Sequence, residues 1–504
     1  MTQASRSAPG GRFLLKPAWL LPDPARGLVH ANWAVLVEDG RVAALGPVGE
    51  LADPAGRAAD VVELPGALLA PALVNAHQPG RGISQLLLGY PDDQLEPWIA
   101  QRTRRGAPDA YALTRLAALE MLRNGVGCAV HANYSYGSGD YEAEARAAIQ
   151  AYLDAGLRVT FCVGAMDRGF PIYPDHLRDR LLESLPEPQR RFVDARRTSP
   201  YAGGAEQTIA LMRRLQADFG THRLVTLAYG PAGPQWVSDA LLVALARDAA
   251  EHGLGLHMHL LESPVQARVA SESHAEGLLA HLEHLGALGP RTVMAHGVHL
   301  RAEDIEVVAR TQTIVVHNPG SNLRLSNGTA PLARLLQAGV TVAIGTDNCA
   351  LSDTEDLLGE LRLADMLARR DPAIYRFDAA RLLAMVTANG ARAALVDDRV
   401  GRIAPGWEAD LTAVDLARVT HPYLDPDMPL VDAFVQRAQG SSVVFTMVAG
   451  RIRYCRGEFP GQDPQAVAQA AAVTARRYRL SSEPGAADAA EALGAAIRDL
   501  HGLS

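Results

Sequence analysis

Lysine is almost absent from this 504-residue chain. Lys16 is the one lysine among 48 Lys and Arg residues. A site built further along the chain therefore has no lysine to draw on. Cysteine is scarce as well. Cys128, Cys162, Cys349 and Cys455 lie far apart and form no close-spaced pair. That excludes a Cys-based zinc cluster and reads as a reduced, cytoplasmic protein. The net charge of −8 is spread along the chain with no basic stripe, so nucleic-acid binding has no electrostatic footprint. The N-terminal stretch "MTQASRSAPGGRFLLKPAWLLPDPARG" lacks a long apolar core between a basic region and a cleavage site. Neither a signal peptide nor a membrane span is expected.

Hydrophobic residues make up 48% and charged residues 21%, ordinary values for a globular protein. Residues 1–69 read as short strands, with "WAVLVEDGRVAALG" forming two strands about an Asp39-Gly40 turn. From 70 to 398 the pattern changes to short apolar strands alternating with amphipathic helices. The strands are "ALLAPALVNAH", "GCAVHAN", "RVTFCVGAMD", "LVTLAYGP", "LGLHMHL", "TVMAHGV", "TIVVHNP" and "VTVAIGTD". "DALLVALARDAAEHG" is one of the intervening helices. Eight such units predict an α/β fold, a (β/α)8 TIM barrel. An open doubly wound sheet is disfavoured, because no Gly-rich phosphate fingerprint follows any strand. Short strands return over 399–460, and their simplest partner is the 1–69 segment, in a small β-sandwich built from both chain ends. The Ala-rich 461–504 tail reads as two helices, packed on the barrel or on a second subunit. The Pro- and Arg-rich stretch 170–207 reads as a lid or an oligomer contact.

Barrel enzymes carry their chemistry at the C-terminal ends of the strands. Here the first strand ends at His77 and the second near His131. The fifth offers His257, His259 and, three residues on, Glu262. The sixth carries His296 with His299 behind it, the seventh His317, and the eighth ends at Asp347. One strand-end histidine is weak evidence, but six of eight strands ending in His or Asp converge on one axial pocket. His77, His259 and Asp347 suit one divalent metal, zinc first and iron second. Glu262 is placed to move a proton between the attacking water and a leaving nitrogen. His296 is placed to bond that water or stabilise an oxyanion. His257 shares a strand face with His259 and reads as a deeper layer residue. Arg81, His131, Tyr134, Asp167, Gln235, Trp236, His317 and Asn318 are the expected substrate-binding residues, with Tyr136, Met166 and Arg168 close by. Loop packing is the alternative for Tyr134 and Tyr136.

Six blocks in order resemble the mononuclear aminohydrolase branch of the amidohydrolase superfamily: "LVNAHQP", "GYPDDQLEPWI", "HMHLLES", "AHGVHL", "HNPGSNLRLSNGTAPLARLLQAGVTVAIGTD" and "TANGARAALVDDRVGRIAPGWEADL". That branch contains guanine, cytosine and adenosylhomocysteine deaminases and triazine hydrolases. The resemblance implies metal binding by His259 and Asp347, proton transfer by Glu262, and contact of His296 with water and substrate. It also implies hydrolytic deamination of a small N-heterocycle of purine, pyrimidine, pterin or triazine type. Other branches bridge two metals with a carboxylated strand-4 lysine; "LVTLAYGP" has none.

Two positions depart from the family pattern. Pro79 stands where the family has the second histidine of a strand-1 His-any-His, and Leu88 stands where many deaminases carry Arg. Proline supplies neither a side-chain ligand nor an N–H. Three readings stay open: a metal retained on His77, His259 and Asp347, since three protein ligands suffice for catalytic zinc; a metal-free lyase or cyclase on the same scaffold; and a non-catalytic small-molecule binder. Gln78 replaces the lost ligand only if Pro79 forces a bulge. A homodimer is the expected assembly.

Overall fold

The computed structural model describes residues 11–51, 59–101, 108–132, 135–168, 172–194, 199–201, 203–348, 350–370, 378–480 and 484–503. The strands are β1 (Phe13–Leu20), β2 (His30–Ala31), β3 (Trp33–Glu38), β4 (Arg41–Pro47), β5 (Asp60–Pro71) and β6 (Leu73–Gln78). Then come β7 (Val126–His131), β8 (Arg158–Ala165), β9 (Val225–Pro231), β10 (Leu256–Leu260), β11 (Thr292–His296), β12 (Ile314–His317) and β13 (Val342–Ile344). β14 (Leu411–Asp415), β15 (Val443–Val448) and β16 (Arg451–Cys455) close the series.

The eight strands β6 to β13 pair in sequence order, each parallel to its neighbour. Helices separate them, as the alternating pattern predicts. The helix Asp239–His252 is typical: the Ser238 hydroxyl accepts from Leu241 N–H at its start, and Gly253 ends it at φ 64°. The seam between β13 and β6 is joined where Asp347 N–H donates to His77 O, 3.0 Å. Thr346 N–H donates beside it to Asn75 Oδ1, 3.1 Å. The two ends of the barrel sheet thus meet at two of the predicted site residues.

The chain ends join in a second, mixed sheet of order β16-β15-β14-β5-β1-β3-β4, with β2 on β1. β5 links the two ends. It runs parallel to β1 along Asp60–Leu69 and antiparallel to β14 along Ala67–Pro71. The run "ALLAPALVNAH" is divided between the two sheets: β5 stops at Pro71, which has no N–H to donate, and β6 begins at Leu73. Between them Ala72 N–H donates to Asp410 O.

The Ala-rich tail forms two helices, Pro464–Leu480 and Ala486–His501. The second is buried against Ala100, Ile172, Leu181, Leu182, Leu185 and Val193 through Leu493 and Ile497. The tail and the described part of the 170–207 stretch, with its helices Arg178–Ser184 and Glu187–Asp194, therefore share one apolar cluster. Leu88 packs with Tyr90 and Tyr478 of the first tail helix. The position where an Arg was expected thus anchors the tail.

Candidate active site

Three strand ends turn back sharply at the top of the barrel. His296, Asp347 and Leu261 have φ of 75°, 54° and 45°, unusual for non-glycine residues. At Leu261 the chain leaves β10, and Ser263 then caps the helix Pro264–Ser273 by accepting from Gln266 N–H. This turn brings the Glu262 carboxylate to His296 and within reach of the charge of His259. At β13, Gly345 is required by space: a Cβ there would lie 2.5 Å from Asn318 Oδ1 and 2.7 Å from His77 Cβ.

His77, His257, His259, Glu262, His296 and Asp347 come together in this region. His77 is fully buried, with Nε2 facing Asp347 Oδ1 at 3.4 Å and Nδ1 2.8 Å from His257 Nε2. His259 bonds Ala232 O through Nδ1, 2.8 Å, which sets the proton on Nδ1 and leaves Nε2 bare. His296 bonds Asn322 Oδ1 through Nδ1, 2.9 Å, and its buried Nε2 has no hydrogen-bond partner. Asp347 Oδ2 accepts from Ser321 Oγ, 2.6 Å. Glu262 accepts from Asn327 Nδ2 at 3.0 Å, and its other oxygen is 3.6 Å from His296 Nε2. Donor atoms of His77, His259 and His296 lie within 4.8 Å of one another, as do those of Glu262, His296 and Asp347.

Burial sets the charge states. It pulls the imidazoles down, His77 to about 4 and His317 to about 3, and His257, His259 and His296 in the same direction. Neutral imidazoles keep the lone pair a metal needs. Burial also pushes the Glu262 carboxyl up to about 8, with the charges of Asp347 and Glu96 adding to the rise. For Asp347, burial is outweighed by the hydrogen bond and charge of His77, so its pKa falls. Bare nitrogens, one carboxylate and buried Nε2 atoms without partners on His77 and His296 fit a single divalent ion.

The other predicted residues divide. His317 is buried with neither ring nitrogen partnered, and Asn318 is buried with Oδ1 unpartnered beside His296. Gln235 Nε2 is buried without a partner near His259 O. Trp236 and Met166 belong to an apolar cluster with Leu95, Trp98, Tyr173 and Val265. His131 lies against the barrel wall, stacked on Phe161 at 4.7 Å and bonded to Tyr152 OH. Arg81 bears on His131 and Tyr136 by its charge. Asp167 is exposed, and both its oxygens are engaged by Ser238, so it fastens two loops. Arg168 is exposed and donates its backbone N–H to Trp236 O. Tyr136 packs as a loop residue, its hydroxyl on Thr114 and on the carbonyls of Pro79 and Gly80. Tyr134 and Cys349 lie outside the described residues.

β6 does carry a bulge, a register shift between Asn75 and Gln78. Gln78 nevertheless does not turn inward. Its Nε2 donates to Tyr152 OH and its Oε1 accepts from Gly80 N–H. Residues the sequence did not single out also shape the site. Glu96, 3% exposed, accepts from Tyr173 OH and Ser263 Oγ. Asn322, Asn327 and Ser321 hold His296, Glu262 and Asp347. The two asparagines and the serine stand inside the quoted "GSNLRLSNG" block, where their polarity amid an apolar pattern was the available signal.

Fold and site together define a barrel hydrolase with an imidazole–carboxylate centre. The sequence profile of the amidohydrolase family matches residues 68–453, and the chain belongs to that family. It is 31% identical over 479 residues to a 5-methylthioadenosine/S-adenosylhomocysteine deaminase of Moorella thermoacetica, covering 93% of this chain and 100% of that one. A 5'-deoxyadenosine deaminase of Methanosarcina mazei is 30% identical, over 87% of this chain and 92% of its own. Among solved structures, an adenosine deaminase from Xanthomonas campestris with bound zinc superposes at TM-score 0.75 with 25% identity, covering 93% of this chain and 99% of that one. An atrazine chlorohydrolase of Arthrobacter aurescens with zinc and atraton shares the fold at TM-score 0.77 and 21% identity, covering 92% and 100%. Among the described residues no helix is long and apolar enough to cross a membrane.

Proposed function

We propose that this chain is an aminohydrolase that replaces the amino group of an adenine-type heterocycle with oxygen, releasing ammonia. The observation that carries this reading is the juxtaposition of bare, buried imidazole nitrogens with the Asp347 and Glu262 carboxyl groups. The adenosine-type deaminases among the relatives support the substrate class. The lyase, cyclase and binder readings find no support there. One divalent ion, zinc by the donor set and by the zinc-bound relative, would be held by His77 and His259, whose donor atoms lie together, and by Asp347, whose Oδ1 is 3.4 Å from His77 Nε2. When bound, such an ion supplies the Lewis acidity that makes water a nucleophile near neutral pH.

The chain's own groups do the rest. Glu262, steadied by Asn327, accepts a proton from the attacking water and delivers it to the departing nitrogen. His296, held through Nδ1 by Asn322, presents Nε2 to the same space and orients water and substrate. His317, Asn318 and Gln235 offer unpartnered polar atoms to a heterocycle's edge. The apolar cluster of Trp98, Tyr173 and Trp236 excludes water above it. His131 lies against Gly80 at the end of β6, and the charge of Arg81 acts on it. A cytoplasmic homodimer is the proposed setting.

The test is ammonia release from 5'-deoxyadenosine, adenosine, guanine and cytosine. The adenine nucleosides should be turned over, and Glu262→Gln should lower kcat by about 10²–10⁴-fold with KM little changed. Absence of turnover on all four, or an unimpaired Glu262→Gln enzyme, overturns the reading.

A further inference from the structure

Of the three convergent imidazoles, two have their outer nitrogen fixed by oxygen. His259 Nδ1 meets Ala232 O, a backbone carbonyl that can only accept. His296 Nδ1 meets Asn322 Oδ1. His77 differs, because its Nδ1 lies 2.8 Å from the Nε2 of another imidazole, His257. The two rings are nearly parallel, 12° apart with centroids at 5.0 Å. Both side chains are buried, and His257 Nδ1 has no hydrogen-bond partner. Either ring can donate across this bond, which a carbonyl does not allow.

We propose that His257 is a positioning residue for the metal centre, setting which nitrogen of His77 carries the proton. The inference rests on the reading that His77 holds the ion. In one arrangement His77 Nδ1–H donates to His257 Nε2, and His77 Nε2 presents a bare lone pair to the centre. His257 is then protonated on Nδ1. In the other, His257 Nε2–H donates to His77 Nδ1, and His77 carries its proton on Nε2, facing Asp347 Oδ1 at 3.4 Å. Both rings stay neutral in both arrangements. A proton crosses the bond from His257 Nε2 to His77 Nδ1, and the one lost at His77 Nε2 is matched by one gained at His257 Nδ1. The count is unchanged, so the pair serves the loaded and the empty centre alike.

Pro79 gives this pair its weight. With no second imidazole on β6, His77 is that strand's one imidazole ligand, and His257 is the hydrogen-bond partner of its outer nitrogen. Outer partners of metal-bound histidines typically contribute 10–100-fold to metal affinity.

Zinc affinity, read by chelator competition, tests this in the full chain. His257→Leu should weaken zinc by about 10–100-fold. His257→Gln, whose amide oxygen can still accept from His77, should recover most of that loss. Equal affinity of His257→Leu and the unaltered chain overturns the proposal. So does a His257→Gln variant as weak as His257→Leu, which would mark a packing role. Imidazole 15N NMR of the unaltered zinc-loaded chain is the second measurement, independent of any variant's folding. His77 should carry its proton on Nδ1 and His257 on its own Nδ1; a proton on His77 Nε2 overturns the proposal. His77→Ala separates the two readings. Unchanged zinc binding there refutes the metal assignment itself, whereas lost binding there with a normal His257→Leu refutes only the role of His257.

Discussion

Gly345→Ala puts the geometry of the centre under direct strain. The added Cβ would stand 2.5 Å from Asn318 Oδ1, 2.7 Å from His77 Cβ and 2.7 Å from His77 O. Ordinary carbon–carbon contact is about 3.5–4.0 Å, so β13 and β6 must part by roughly 1 Å at their seam. The Asp347 N–H bond to His77 O lies two residues away, so Asp347 and His77 separate together. Overpacking of this kind costs about 1–3 kcal/mol of stability, small enough for the chain to stay folded. A displacement of about 1 Å in a catalytic constellation costs on the order of 100-fold, or about 2.7 kcal/mol in the barrier. The assay pairs kcat/KM for an adenine nucleoside with zinc affinity, and circular dichroism confirms the fold. The expected result is a folded variant with both quantities reduced by about two orders of magnitude. A folded Gly345→Ala chain with unaltered zinc affinity and turnover would refute the reasoning that His77 and Asp347 work across this seam.

Two other predictions concern stability. Arg158, fully buried, donates to Asp410 and Glu408 and so ties the barrel to the second sheet. Arg158→Met leaves both carboxylates short of a partner and should cost about 3–5 kcal/mol in urea unfolding; a loss below about 1 kcal/mol contradicts this role. His131 is held down to about 3, first by burial and then by the charge of Arg81, against 6.5 for a free imidazole. Between those values the unfolded chain binds a proton that the folded chain refuses. Stability from this group is therefore whole above pH 6.5 and falls as the pH drops toward 3, by about 1.4 kcal/mol per unit. His131→Phe, which keeps the stack on Phe161, should flatten the acid limb by that slope; an unchanged limb argues against it.

The barrel was legible because its strands are short apolar runs, six of the eight ending in His or Asp, and that pattern is local. His259 and Glu262 could be related on sight, since only a turn separates them. What stayed hidden depends on contacts distant in sequence. The division of "ALLAPALVNAH" at Ala72 follows from β5 pairing with β1 and β14 at once. Gln78 could not be placed without Tyr152, which receives its amide. Asp167 looked like a pocket residue because it follows a barrel strand, yet Ser238 from another loop engages both its oxygens. His257 looked like a layer residue because its period is that of the strand. Its partner His77 is 180 positions away in sequence. Glu96 gave no periodic signal, and its burial depends on Tyr173 and Ser263.

Metal content bears most directly on the central claim. Purified chain should carry about one equivalent of zinc or a similar divalent ion. Chelation should abolish deamination, and zinc should restore it, despite the proline at position 79. A metal-free chain that deaminates at full rate would contradict the account.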